Sequence, residues 1–222
     1  MKILEHIVRD LAFVMLTGGL SIACGQTFDI ASGGTPTING SLSGSVSGSG
    51  STLNNLSVTV NFGEVSPANT NNLVKVVVPI AIRGTGPYKV TASISGGTNA
   101  NPQALQQSDV GFGVNNLRGT SALSRVCLLS SHVFYSPFSS DPSANVTIGG
   151  NGRAAYTASL SNITTPATIM SGPPPSLVWL GRSLTDGYIF DAIFTVTPQY
   201  YGPGSTSATI TFTISSGPFV LC

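Results

Sequence analysis

Charge is what this chain has least of. Charged side chains make up 8% of its 222 residues, nine Lys and Arg against eight Asp and Glu, for a formal net charge of +1. Soluble domains ordinarily carry about 25%. With so few cations there is no basic stripe to hold a phosphate backbone, so nucleic acid is not an expected partner, and no acidic tail is present either. Histidine is nearly as scarce. Beyond the first 25 residues only His132 remains, with Cys127 and Cys222, too few ligands of the right kind for a zinc site. A Ser-His-Asp triad through Asp109, Asp141 or Asp191 is arithmetically open, but no Gly-x-Ser-x-Gly elbow accompanies it and serine is too common to single one out. Asp186 and Asp191 are the closest carboxylates past the leader, and five residues apart along a strand they point to opposite faces, which does not make a glycosidase pair. No Asp-x-Asp-x-Asp loop gathers oxygen ligands for calcium. These absences argue against an enzyme, and no cofactor is expected.

What is present begins with a leader. Residues 1–25 read as a signal peptide: Lys2 and Arg9, then the apolar run LAFVMLTGGLSIA, then Ala23-Cys24-Gly25 in the small-x-small form of a cleavage site. Cys24 has a second reading as a lipoprotein cysteine, against which Ser21 stands where a lipobox prefers an aliphatic residue. The apolar run is short for a membrane span, and no later segment comes closer. Export places the chain in an oxidising compartment, where Cys127 and Cys222 are expected to form one disulfide, separate thiols or a bond to another molecule being the alternatives.

Past the leader the residues alternate. Leu56, Val58, Val60 and Phe62 share one parity, as do Val74, Val76, Val78, Ile80 and Ile82, and then Tyr88, Val90, Ala92 and Ile94 after the turn Gly84-Thr85-Gly86-Pro87, which predicts a hairpin. Tyr188 to Val196 and Ala208 to Ile214 repeat the pattern around a Gly202-Pro203-Gly204 turn. Weaker strands are expected near 125–134, 144–148, 153–160 and 177–180, and only NPQALQQS, Asn101 to Ser108, hints at a short helix. The expected fold is therefore all-β, an antiparallel immunoglobulin-like β-sandwich over residues 56–222. A Gly/Ser-rich extension, 26–55, precedes it. Within that extension TINGSLSGSVSGSGS, Thr37 to Ser51, keeps a two-residue beat that a flexible linker does not need, with Ile38, Leu42 and Val46 on one parity and serines or asparagine on the other. Ile38, Leu42 and Val46 are thus candidates to seat in pockets along a sheet edge, of a neighbouring subunit or of the same chain; a disordered tether is the remaining reading.

The segment SVTVNFGEVSPANTNN, the run to Arg83, GPYKVTASI, and the ending IFTVTPQYYGPGSTSATITFTIS resemble secreted bacterial pilin-like domains of the spore coat protein U and fimbrial subunit type. The likeness covers about half of the chain past the leader. It departs in its cysteines, which in that family pair near the first strands, and in the tail GPFVLC beyond the last strand. The resemblance implies a secreted or cell-surface bacterial subunit that self-associates, or joins related subunits, by strand addition, with no membrane span in the mature chain. An adhesive or carbohydrate-binding module is the alternative, for which Tyr200 and Tyr201, beside the Gly-Pro-Gly turn, are the candidate glycan contacts, while Trp179 is expected in the core.

Overall fold

The computed structural model describes residues 27–39, 45–63, 73–120, 132–175, 186–197, 199 and 201–220. The leader, Leu42, Cys127, Cys222, Trp179 and Tyr200 lie outside the described residues. In chain order the described strands are β1 (Phe28–Ser32), β2 (Thr37–Asn39), β3 (Ser45–Thr52), β4 (Asn55–Gly63), β5 (Val74–Gly84), β6 (Tyr88–Gly96) and β7 (Val110–Gly119). They are followed by β8 (Val133–Phe134), β9 (Thr147–Ile148), β10 (Ala154–Ala155), β11 (Ala167–Gly172), β12 (Tyr188–Val196) and β13 (Thr206–Ser216). The fold is an all-β sandwich. One sheet, called here the covered sheet, has the order β1-β5-β12-β7 with β2 also on β5; the other, the bare sheet, runs β3-β4-β13-β6-β11-β8; β9 and β10 form a separate ribbon. Every strand pair is antiparallel.

Alternation explains the long strands. In β4 and β13 every second residue is buried, and Leu56, Val58, Val60 and Phe62 interlock with Ala208, Ile210, Phe212 and Ile214 against Val76, Val78, Ile80, Phe190 and Phe194 from the other sheet. Each fully buried Val, Ile or Phe contributes about 1.5–3 kcal/mol relative to exposure. The rings pack as tilted pairs, with Phe112 centred 5.4 Å from Phe194 and 6.4 Å from Phe212, which ties the sheets together.

Three expectations change. The sandwich takes in Ile30 of β1, fully buried in the core, and β1, β2 and β3 pair into its sheets rather than lying in an extension ahead of Leu56. The Gly84 to Pro87 turn is a corner, not a hairpin: β5 lies in the covered sheet and β6 in the bare one, and β12 and β13 are split in the same way. The same Gly-Pro turn chemistry serves both connections, and only the nonlocal partners decide between them. Asn101 to Ser108 forms turns followed by a single 3-10 turn, Gln107–Asp109, stopped by the strand that begins at Val110.

Candidate functional site

The polar side chains that sequence reasoning weighed for catalysis sit apart from one another, each in its own structural pairing. His132 Nδ1 lies 3.0 Å from the hydroxyl of buried Tyr88, and its ring stands edge-on to Tyr188 at 4.8 Å. Gly172 leaves room for it, since a Cβ there would collide with Nδ1. Burial, with the neighbouring Tyr188, pushes the Tyr88 phenol well above its ordinary value. Asp191 of β12 accepts from Arg118 at 2.8 Å and from Asn116 at 2.6 Å. Burial pushes the Asp141 carboxyl up, but hydrogen bonds from Lys75 and from Ser143 outweigh it and hold the group below the usual carboxylate range.

Among the described residues Asp109 is the most enclosed carboxylate, 1% exposed. It accepts the Gln106 backbone N–H at 2.8 Å and the Arg153 guanidinium at 2.5 Å. Arg153 also donates to the Pro102 carbonyl at 2.9 Å and lies 5.8 Å over the Tyr201 ring. Burial raises the Asp109 pKa, and the Gln106 bond and the Arg153 charge compensate only in part. This hub joins the 101–109 turn, the β9–β10 ribbon and the approach to β13. The sequence carried one local hint, the Gln106/Asp109 capping-box spacing; Arg153 lies 44 residues from Asp109 and left no signal. Among the described residues no three His, Cys, Asp or Glu side chains converge as a metal site would require.

The opening stretch supplies a different kind of site. Its first part is β2, paired with β5 so that Ile38 lies opposite Val76 at the edge of the covered sheet, still 42% exposed. Its second part is β3, paired with β4 so that Val46 lies opposite Val60 and Gly48 opposite Val58. Val46 packs half-buried against the core. The stretch is therefore two strands in two sheets, with residues 40–44 between them outside the described set. Both strands lie at sheet margins, and among the described residues no strand pairs with the outer side of β3. Proteins usually blunt such an edge with Lys, Pro or a charge that points inward. From Ser45 to Ser49, SVSGS, β3 has none of these, and its pairing irregularity falls later, between Ser49 and Thr52.

Tyr201 is half-buried rather than free: its hydroxyl donates to the Thr197 carbonyl at 3.3 Å, and burial, then the nearby Asp109, raises its pKa. Its partner in the sequence reading, Tyr200, and the cysteine pair Cys127 and Cys222 fall outside the described residues. No family model, curated protein or solved structure matches this chain.

Proposed function

We propose that this chain is an exported, non-catalytic structural subunit of a bacterial cell-surface or extracellular assembly, joined to its neighbours by strand addition. The observation that carries the reading is the uncharged, proline-free β3 edge, which from Ser45 to Ser49 offers a row of backbone donors and acceptors that no strand pairs with among the described residues. The rest of the molecule is consistent with a structural role. The carboxylates Asp109, Asp141 and Asp191 are each tied to a cation, and His132 is tied to Tyr88. The glycan-binding alternative loses weight because Tyr201 is held by Thr197 and Arg153 instead of standing clear.

Sedimentation and negative-stain microscopy of the exported protein test the proposal. Dimers, filaments or larger assemblies that grow with concentration are expected. A clean monomer at every concentration, at neutral pH and moderate salt, overturns the reading.

A further inference from the structure

We infer that the partner at this edge is β3 of a second copy, paired antiparallel about a two-fold axis at Gly48, so that two bare sheets join into one. The inference rests on the assembly reading above and names its contact. It differs from exchange of a free donor segment, because both described parts of the opening stretch are already paired within their own chain, β2 on β5 and β3 on β4. What remains unpaired among the described residues is the outer side of β3, and an edge meets another edge.

Gly48 points to a close neighbour from outside the chain. A glycine inside a strand weakens it by about 0.5–1 kcal/mol relative to alanine, and it commonly marks a place where another backbone comes near. Gly48 has no left-handed φ to explain it, and a Cβ built there would meet nothing within 4 Å. Neither the backbone nor the chain's own packing calls for glycine at this position.

The sequence of the edge is complementary to itself. With Gly48 on the axis, Gly48 comes opposite Gly48 and position 47 opposite position 49 of the second copy, so that the regular part of the edge, Ser45 to Ser49, meets its own small, uncharged sequence. No charge in Ser45–Thr52 opposes the approach of a like strand. The bare sheet already links strands by hydroxyl pairs, with Thr59 and Thr209 at 2.8 Å and Ser57 and Thr211 at 2.9 Å, and the new contact continues those rows across the axis. An isologous contact of this kind closes on itself, so the basic unit is a dimer.

A charge swap tests the contact on the full exported chain. One variant carries Ser47→Lys with Ser49→Lys, the other Ser47→Glu with Ser49→Glu; both sites are on an edge, and unchanged melting curves verify folding. Each variant alone is expected to self-associate at least about tenfold more weakly than wild type, since like charges face each other twice, and an equimolar mixture is expected to recover dimers of mixed composition by native mass spectrometry. Assembly of either variant at wild-type strength, or a mixture that stays monomeric, overturns the inference and leaves the assembly reading standing. A wild type that is itself monomeric overturns both. Hydrogen exchange on wild type gives an independent readout free of substitutions: β3 amides are expected to gain protection as concentration rises through the dimer range, and protection that does not change while dimers form overturns the assignment of the edge.

Discussion

The two sheets of this sandwich share a core but treat their outer faces in opposite ways. Against β7 of the covered sheet run stretches of the chain between Phe138 and Ala158. Ala158 and Phe138 carbonyls accept from β7 at 3.1 and 2.8 Å; Thr195, Tyr156 and Pro142 leave Gly111 no room for a side chain, and the Ser140 carbonyl with Pro142 leaves none at Gly113. In consequence Asp191, Ile193 and Thr195, which face away from the core, are also buried. Among the described residues the bare sheet has no such cover. Its outward residues on β4, β13 and β6 form rows by register, Thr59, Thr209 and Ser95, then Ser57, Thr211 and Ser93, then Asn55, Thr213 and Thr91, all neutral, and the next pair, Ser215 and Lys89, brings the charge of Lys89 to this face. One fold thus solves the problem of a second face twice, by burial on one side and by neutral hydroxyl groups on the other.

The largest way to break this contrast is to push the cover away. Gly113→Val places carbon where the Ser140 carbonyl already sits, and it is expected to destabilise the domain by about 3 kcal/mol or more, read from urea unfolding. Next comes the Asp109 hub. Arg153→Leu leaves a buried carboxylate without its cation and is expected to cost about 3 kcal/mol. Asp109→Asn acts differently, because burial already disfavours the ionised form: the folded chain takes up a proton at a higher pH than the unfolded one, so ionisation of Asp109 lowers stability as pH rises through its raised folded pKa. That variant is expected to match or exceed wild type by up to about 1 kcal/mol at pH 7, with the gap closing as pH falls toward about 4. The Lys75–Asp141 strap has the opposite sign. Its lowered pKa gives stability that is present above the ordinary carboxylate range and lost as pH falls through the folded value, a loss that Asp141→Asn should abolish in acid titrations of wild type against variant. The smallest effect belongs to the bare face. Thr209→Val, which removes a part-exposed hydroxyl pair, is expected to change stability by less than about 0.5 kcal/mol, and a larger loss would mean that this face is less independent than its exposure implies.

This asymmetry also decides what could be read from the sequence. β4, β5, β6, β12 and β13 were legible because an inner apolar residue alternates with an outer one, and in β4 and β13 the outer positions are polar in the ordinary way. β7, with VGFGVNNLRG, was not read as a strand, since its outward positions are the glycines that the cover demands and the alternation of apolar with polar is lost. β11, ATIMSG, was missed for a related reason: its last four residues are all buried, and its pairing with β6 shifts register between Thr168 and Met170. β1 was hidden in a stretch taken for an extension, where one buried isoleucine, Ile30, is the only strong sign. Of the candidate edge, the beat of Thr37 to Ser51 announced strands, but the division into two sheets depends on partners far along the chain. The Asp109–Arg153 pair depends on partners in the same way.

The position of β13 sets an order of events in time. This last described strand lies in the middle of the bare sheet, between β4 and β6, whose residues come more than a hundred positions earlier. Until residues 206–216 are in place, β4 and β6 have no strand to close the gap between them, and their apolar faces stay open to any other strand at hand. A sheet wired this way cannot close strand by strand in chain order; it waits for residues 206–216, which favours slow, all-at-once folding and leaves a long interval in which its apolar faces are exposed.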